Sequence, residues 1–270
     1  MNFIDAAILG ALQGITEFLP ISSSGHLILA EKFMNLDIES LKSFDVMLNL
    51  GTLLAVLIYF WQEVKGMIIA FWKFIVRKLP ANDPHAKLIV YLVLGTIPAV
   101  IVGLFGDTID EHFRNAKSVT VMMLMVAIVF VIAELFYKKV KAKKVEVGSW
   151  KQALIIGIAQ SFALVPGISR SGSTIVAGLF QGIERENVAK FSFLLSIPAV
   201  CGAITLTGIK ILKHGTVNVA MGPLFIGFLM SFIFGILSVA FLMKFLKKHS
   251  LNTFAVYRIL FAILLFTYFL

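Results

Sequence analysis

The sequence predicts an all-α polytopic membrane protein, an inverted-topology repeat of six transmembrane helices plus two re-entrant helix pairs. Three observations carry that expectation. The chain of 270 residues is 59% hydrophobic and only 14% charged, whereas soluble domains are nearer half apolar and a quarter charged. Its mean hydropathy is +0.93. One polar segment recurs at a single offset of 147 residues, so that Gly10, Gln13, Ile21, Ser22, Ser24 and Gly25 return as Gly157, Gln160, Ile168, Ser169, Ser171 and Gly172. Ile28, Ala30, Phe33, Phe44 and Leu48 recur at the same offset. Finally, the basic residues cluster between apolar runs, as in cytoplasmic loops.

The elements follow in order. Residues 3–34 are apolar but broken at Pro20-Ile-Ser-Ser-Ser-Gly25, so neither half is long enough to cross. Such breaks are tolerated at membrane depth where protein or an aqueous cavity covers the loose backbone, and the segment is read as a re-entrant pair. Runs 44–62, 88–105 and 118–137 are long enough to span and complete repeat A, 1–138. Repeat B, 150–270, matches it: a re-entrant pair at 150–183, broken at Pro166-Gly-Ile-Ser-Arg-Ser-Gly172, then spans 188–210, 222–243 and 252–270. Between 63 and 80, Lys65, Lys73, Arg77 and Lys78 interleave with Phe71, Trp72 and Phe74, the pattern of an interfacial helix. Pro98 and Pro198 are expected to kink their spans.

Loop charge orients the spans. The loops holding Lys65 to Lys87, Lys138 to Lys151 and Lys244 to Lys248 fall in the cytoplasm. The links 107–117 and 211–221 and both termini then fall outside. Each repeat has three spans, an odd number, so the second copy inserts upside down. The two polar turns meet from opposite faces near the midplane, where inverted-repeat proteins keep their sites.

Other classes are excluded by composition. The net charge of +9 belongs to the loops, so no nucleic acid is expected. The single cysteine, Cys201, rules out an internal disulfide and a cysteine metal cluster, and is read as a small buried hydrophobe. Met1-Asn2-Phe3-Ile4-Asp5 has no basic n-region, so no cleavable signal is expected.

The polar turns carry the chemistry. In Pro166-Gly167-Ile168-Ser169-Arg170-Ser171-Gly172-Ser173-Thr174, proline and glycine end one helix and hydroxyls can cap the next. A helix N-terminus offers free N–H groups and positive dipole to an anion. Arg170 adds a planar fork suited to phosphate oxygens; the plainer reading is an ion pair between Arg170 and Glu17. Gln13 and Glu17 share a helix face. Glu17 lies at the C-terminal end of its half-helix, where a carboxylate wants compensation from Arg170 or a divalent cation. His26 follows Ser22-Ser23-Ser24-Gly25 and is read as an acid, base or nucleophile. Less is expected elsewhere: Glu134 to snorkel, Asp45 to cap a helix although it shares a face with Asn49, and His85, His112, His214 and His249 to be solvated.

At these residues the chain resembles the undecaprenyl-diphosphate phosphatase family, known also through bacitracin resistance, over essentially its whole length. Gln13 and Glu17 meet the family's glutamate-rich motif. Pro20-Ile-Ser22-Ser23-Ser24-Gly25-His26 matches its Pro-x-Ser-Ser-x-Gly-His stretch, and Pro166 to Thr174 its Pro-Gly-x-Ser-Arg-Ser-x-x-Thr motif. The resemblance implies a multi-pass phosphatase of the bacterial inner membrane. It would remove one phosphate from undecaprenyl diphosphate through a site opening outward, recycling the lipid carrier of wall synthesis. It implies catalytic roles for Glu17, His26, Arg170 and Ser23, and phosphate binding by Ser22, Ser169, Ser171, Thr174 and Gln13. A divalent cation held at Glu17, Mg²⁺ with Ca²⁺ as the substitute, goes with it. The nucleophile stays open between Ser23, His26 and water. The expected partners are the polyprenyl diphosphate and bilayer lipids, with a homodimer compatible. The competing readings are an inverted-repeat transporter or lipid flippase, and a non-catalytic scaffold.

Overall fold

The computed structural model describes residues 1–37, 41–78, 80, 82–140, 146–214 and 219–269. Lys141, Lys143, Lys144 and part of the 211–221 link lie outside the described residues, as does the side chain of His214. The described residues form twelve α-helices and no strand. The first broken segment is α1 (Phe3–Phe18) and α2 (Ser23–Phe33); the second is α8 (Trp150–Phe162) and α9 (Arg170–Phe180). Between them stand α3 (Lys42–Tyr59), α4 (Trp61–Ile75), α5 (Pro84–Gly103), α6 (Gly106–Phe113) and α7 (Ala116–Val140). After them come α10 (Arg185–His214), α11 (Met221–Leu246) and α12 (Asn252–Phe269). The helices α5, α7, α10 and α11 are long and apolar enough to cross a membrane, α3 with α4 makes a pair bent by 84°, and α12 is shorter and apolar.

Local chemistry sets the boundaries. Asn2 and Asp5 form a reciprocal capping box at the start of α1, which stops before Pro20. Asp83 caps α5 with Pro84 at its first position, where the missing N–H costs nothing. The bend between α3 and α4 lays the basic, aromatic α4 across the end of α3, as an interfacial helix requires. The link after α5, read from the sequence as a connection, contains the helix α6. Pro98 and Pro198 both lie inside their helices.

The helices pair by exchange between the halves. Helix α1 packs on α11, and its counterpart α8 packs on α5, the counterpart of α11. The first full spans, α3 and α10, meet each other, as do the last, α7 and α12. Both exchanged seams are backbone-close. A Cβ placed on Gly10 would overlap the carbonyl of Gly227, and one on Gly157 would overlap the carbonyl of Gly95. Small residues allow this approach, which replaces the hydrophobic force that lipid cannot supply. The inner core gathers around Phe18, whose ring meets Phe193 edge-on at 5.3 Å, with Phe130, Ile156, Ile175 and Leu195. The outer surface stays apolar: Val93 and Val100 on α5, Ile128 and Leu135 on α7, and Leu260 and Leu264 on α12 are exposed.

Two expectations are corrected here. Glu134 does not snorkel: it is fully buried. It accepts from Nε and a terminal nitrogen of Arg185 and from the Leu251 N–H at 2.8 Å, which ties α7 to the starts of α10 and α12. A carboxylate inside needs such partners, and so close a cation competes with the route to water. Cys201 is exposed rather than buried, because a surface facing hydrocarbon accepts an apolar thiol as readily as a core does. The seams generate a prediction. Gly10→Ala and Gly157→Ala each cost about 1–3 kcal/mol through overpacking, read as lowered thermal stability in detergent, whereas Gly202→Ala, with open space at its Cβ position, leaves stability unchanged.

Candidate active site

The two breaks meet. Gly25 approaches so closely that a Cβ there would stand 3.5 Å from the Cα of Gly167. The Ser171 hydroxyl donates to the carbonyl of Leu19 at 3.4 Å. The turns are near-copies in geometry as well as sequence. Ser22 and Ser169 both adopt positive φ, 75° and 82°, and each caps its own helix by accepting from a glycine N–H, Gly25 at 3.3 Å and Gly172 at 3.2 Å. Helices α2 and α9 therefore point their N-termini at one place, and two sets of free N–H groups with their dipoles converge there.

Glu17 is the hub of the side chains. Its Oε2 accepts from the Ser23 hydroxyl at 2.6 Å and from Gln13 Nε2 at 3.0 Å. Its Oε1 takes a terminal nitrogen of Arg170 at 2.8 Å. The plainer reading of Arg170, an ion pair with Glu17, is thus present, and it joins one turn to the other. Arg170 also donates to the Ser192 carbonyl at 3.2 Å, and Gln13 donates to Asn49 Oδ1 at 3.0 Å. A hydroxyl held on a carboxylate can lose its proton to that carboxylate, which is the arrangement of an activated nucleophile.

These groups line a cavity of about 630 Å³. Its inner end carries Gln13, Glu17, Ser22, Ser23, Ser169 and Arg170, and its walls include Leu27, Leu164, Ala199, Val200 and Ala203. Asp45, Asp107, Asp110 and Arg114 line it toward α6. Asp45 does not cap α3 as expected; it accepts from Arg114 at 2.6 Å, tying α3 to the link after α6. Burial works against the Arg114 charge, but Asp45 and Glu31 more than offset it, so its pKa stands above the ordinary value and it remains cationic.

The other expected residues are placed differently. Thr174 is fully buried, and its hydroxyl is engaged by the carbonyls of Arg170 and Ser171 and by the Ser192 hydroxyl at 2.6 Å. Ser171, also fully buried, sits behind Ser169 at 3.2 Å. Neither lines the cavity. His26 does not line it either. Its Nδ1–H donates to the Ser22 carbonyl at 2.8 Å, which leaves Nε2 to accept from the Tyr257 hydroxyl at 2.7 Å. Its ring stacks on Phe261 at 4.6 Å. His26 thus holds the strained Ser22 backbone beside Ser23. His85, His112 and His249 lie off the cavity, His85 in the first turn of α5 and His249 stacked on Phe245.

Sequence reasoning missed three residues. Ser192 gave no signal as one hydroxyl in an apolar span. Arg114, in the link after α6, belonged to no motif. Arg258 is fully buried in α12, within an apolar run whose length hid it; an intramembrane arginine is the signal that could have found it. For a metal, no group of three His, Cys, Asp or Glu residues stands together among the described residues. The donors that do stand together are hard oxygens. Beside Glu17 stands Gln13, which donates its Nε2–H to the carboxylate and leaves its own buried Oε1 with no hydrogen-bond partner. One carboxylate and one neutral oxygen suit Mg²⁺, which keeps waters and shares phosphate oxygens with its substrate.

Fold and site together define a multi-pass membrane protein whose polar centre is built from two broken helices. Residues 6–264 match the family model described as bacitracin resistance protein BacA, and the chain belongs to that family. It is similar to the undecaprenyl-diphosphatase of Geotalea daltonii, 44% identical over 269 residues, 96% of this chain and 95% of that one. Similar likeness holds for the undecaprenyl-diphosphatase of Rubrobacter xylanophilus, 39% identical over 96% of this chain and 95% of that one. That of Methanosphaera stadtmanae is 42% identical over 95% of this chain and 94% of that one.

The placement of His26 separates holding from proton transfer. His26→Asn is expected to lower the rate of any reaction at Ser23, while the acid limb of the pH–rate profile stays where it is in the wild type. Movement of that limb would show the imidazole to be the titrating group.

Proposed function

We propose that this protein is an integral membrane phosphatase that hydrolyses undecaprenyl diphosphate to undecaprenyl phosphate and inorganic phosphate. The observation that carries the reading is the Ser23 hydroxyl, 2.6 Å from Glu17 at the meeting point of two helix N-termini, in a family whose similar members bear that activity in their names.

The substrate's problem is charge inside hydrocarbon. The free N–H groups of α2 and α9 and the guanidinium of Arg170 neutralise it, and positioning plus electrostatics is most of what phosphoryl transfer requires. The terminal phosphate rests between the turns, in line with Ser23 Oγ. Oγ attacks the terminal phosphorus while its proton passes to Glu17 Oε2. The bond to the bridging oxygen breaks, and its electron pair leaves with the polyprenyl monophosphate. Water then attacks the phosphoserine, Glu17 relays the proton back to Oγ, and inorganic phosphate departs. Arg170 holds Glu17 against the second turn through the contact at 2.8 Å. Gln13 and Asn49 hold the carboxylate face toward Ser23. A divalent cation held at Glu17 would supply further neutralisation of the phosphate oxygens. Ser171, Thr174 and His26 act from behind, by setting the backbone of the two turns, while Ser22 and Ser169 cap the helices at the cavity itself.

The orientation follows from loop charge. The cavity runs toward α6 and the 107–117 link, which the basic-loop rule places outside, so the site opens to the outer face of the cell membrane. In this reading α1–α2 and α8–α9 are re-entrant and repeats A and B are inserted oppositely. The apolar wall residues lie between helices, where the lipid tail enters from the bilayer.

Phosphate release from a polyprenyl diphosphate in detergent tests the reading. The wild type is active with Mg²⁺ and inactive with EDTA. Ser23→Ala and Glu17→Gln each lose about 10²-fold or more, the scale of a lost nucleophile or base. Arg170→Ala loses more than Arg170→Lys, because only the first removes the charge. Unchanged release in the Ser23 and Glu17 variants sinks the site; a wild type inactive with every cation favours lipid transport.

A further inference from the structure

Arg258 is a cation whose hydrogen bonds all go to backbone carbonyls, with its guanidinium 5.6 Å from the Phe130 ring. It is fully buried in α12. No carboxylate lies within ion-pair distance of it among the described residues. Its terminal nitrogens donate to the Gly167 carbonyl at 2.5 Å and the Pro20 carbonyl at 3.4 Å. Pro20 closes the first half-helix of one repeat, and Gly167 follows that of the other. The same guanidinium reaches α7, with Nε on the Met123 carbonyl at 3.2 Å and a terminal nitrogen on the Met122 carbonyl at 3.4 Å. One planar group therefore touches both breaks and the helix behind them.

The chemistry of that position is specific. A broken helix has two unsatisfied ends: the N-terminal N–H groups of its second half and the C-terminal carbonyls of its first. In this protein the N–H ends of α2 and α9 converge on the cavity. The carbonyls of Pro20 and Gly167, which lie within the breaks beyond the last helical residues Phe18 and Phe162, converge on Arg258. A lysine has three donors on one point and cannot span four carbonyls, whereas the guanidinium fork can.

We propose that Arg258 is a positioning residue for the reaction: it clamps the Pro20 and Gly167 carbonyls so that the Ser23–Glu17 turn and the Arg170 turn keep catalytic register. It touches neither substrate nor cavity. The proposal rests on the phosphatase reading for its kinetic consequence, but the clamp itself is a statement about the two turns.

The test uses the full-length protein in detergent and two variants, Arg258→Lys and Arg258→Gln. Amide hydrogen exchange followed by mass spectrometry reads the clamp without reference to activity. Faster exchange confined to residues 19–25 and 165–172 is expected in both variants. Phosphate release reads the consequence. Arg258→Lys lowers kcat by about tenfold to a hundredfold, the cost of a small misplacement, with KM within about threefold. In the Arg170→Ala background the same change adds less than about twofold, because the two turns act as a unit. Unchanged exchange at the two turns overturns the clamp, as does loosening spread over the whole protein or failure of both variants to fold. An inactive wild type overturns the phosphatase reading alone and leaves the exchange result to decide the clamp. Additive losses with Arg170→Ala overturn the register argument.

Discussion

A broken helix buried among others leaves N–H and C=O groups that need partners, and the polar centre of this protein follows from how two such breaks cover each other. Each break is stabilised by its own serine cap, by contact with the opposite turn, and by the Arg258 side chain brought from α12. The constraint is strict enough to hold Ser22 and Ser169 at positive φ, a conformation that L residues seldom adopt. It also leaves one product that solvent-exposed loops cannot offer: helix N-termini fixed in a low-dielectric place, where their partial charges act at greater strength on an anion.

The two copies divide the work by a few substitutions. Where the first has Glu17, the second has Leu164; where the first has Ser23, the second has Arg170; and His26 faces Ser173 in the alignment. Gln13 and Gln160 show how little needs to change. Both are buried in matching half-helices, yet Gln13 holds Glu17 and Asn49 while Gln160 donates to the Gly95 carbonyl of a seam. The same amide supports chemistry in one copy and helix contact in the other, because Asn49 is matched by Ser196, whose hydroxyl turns back on its own helix.

The fold was largely legible from sequence. A repeat at one offset, together with interrupted apolar runs, is enough to place α1–α2 and α8–α9, since helices in lipid are constrained by length and by breaks more than by subtle periodicity. The association of Glu17 with Ser23 and Arg170 was legible for the same reason: expensive residues at the same depth find one another. What escaped was set by tertiary neighbours. Asp45 turned from a cap into a partner of Arg114 because α6 brings that arginine over it. Glu134 became a buried tie because the starts of α10 and α12 surround it. His26 read as chemistry from its motif, but a backbone carbonyl and a tyrosine 231 residues away claim both its nitrogens. Arg258 was hidden because a span is recognised by its average, and one cation in a long apolar run barely moves that average.

The exchanged seams have a consequence in time as well as space. Helix α1 leaves the ribosome first, yet the groove that Gly10 and Gly14 fill lies on α11, which is made near the end of synthesis. The first half-helix must therefore wait at the membrane with its glycine face uncovered and its break uncapped by the second turn. The main partner of each first half-helix lies in the other half of the sequence, so the two seams close only when both halves are present. A chain truncated before α11 would leave α1, and the Ser23–Glu17 turn that follows it, without the helix it packs on.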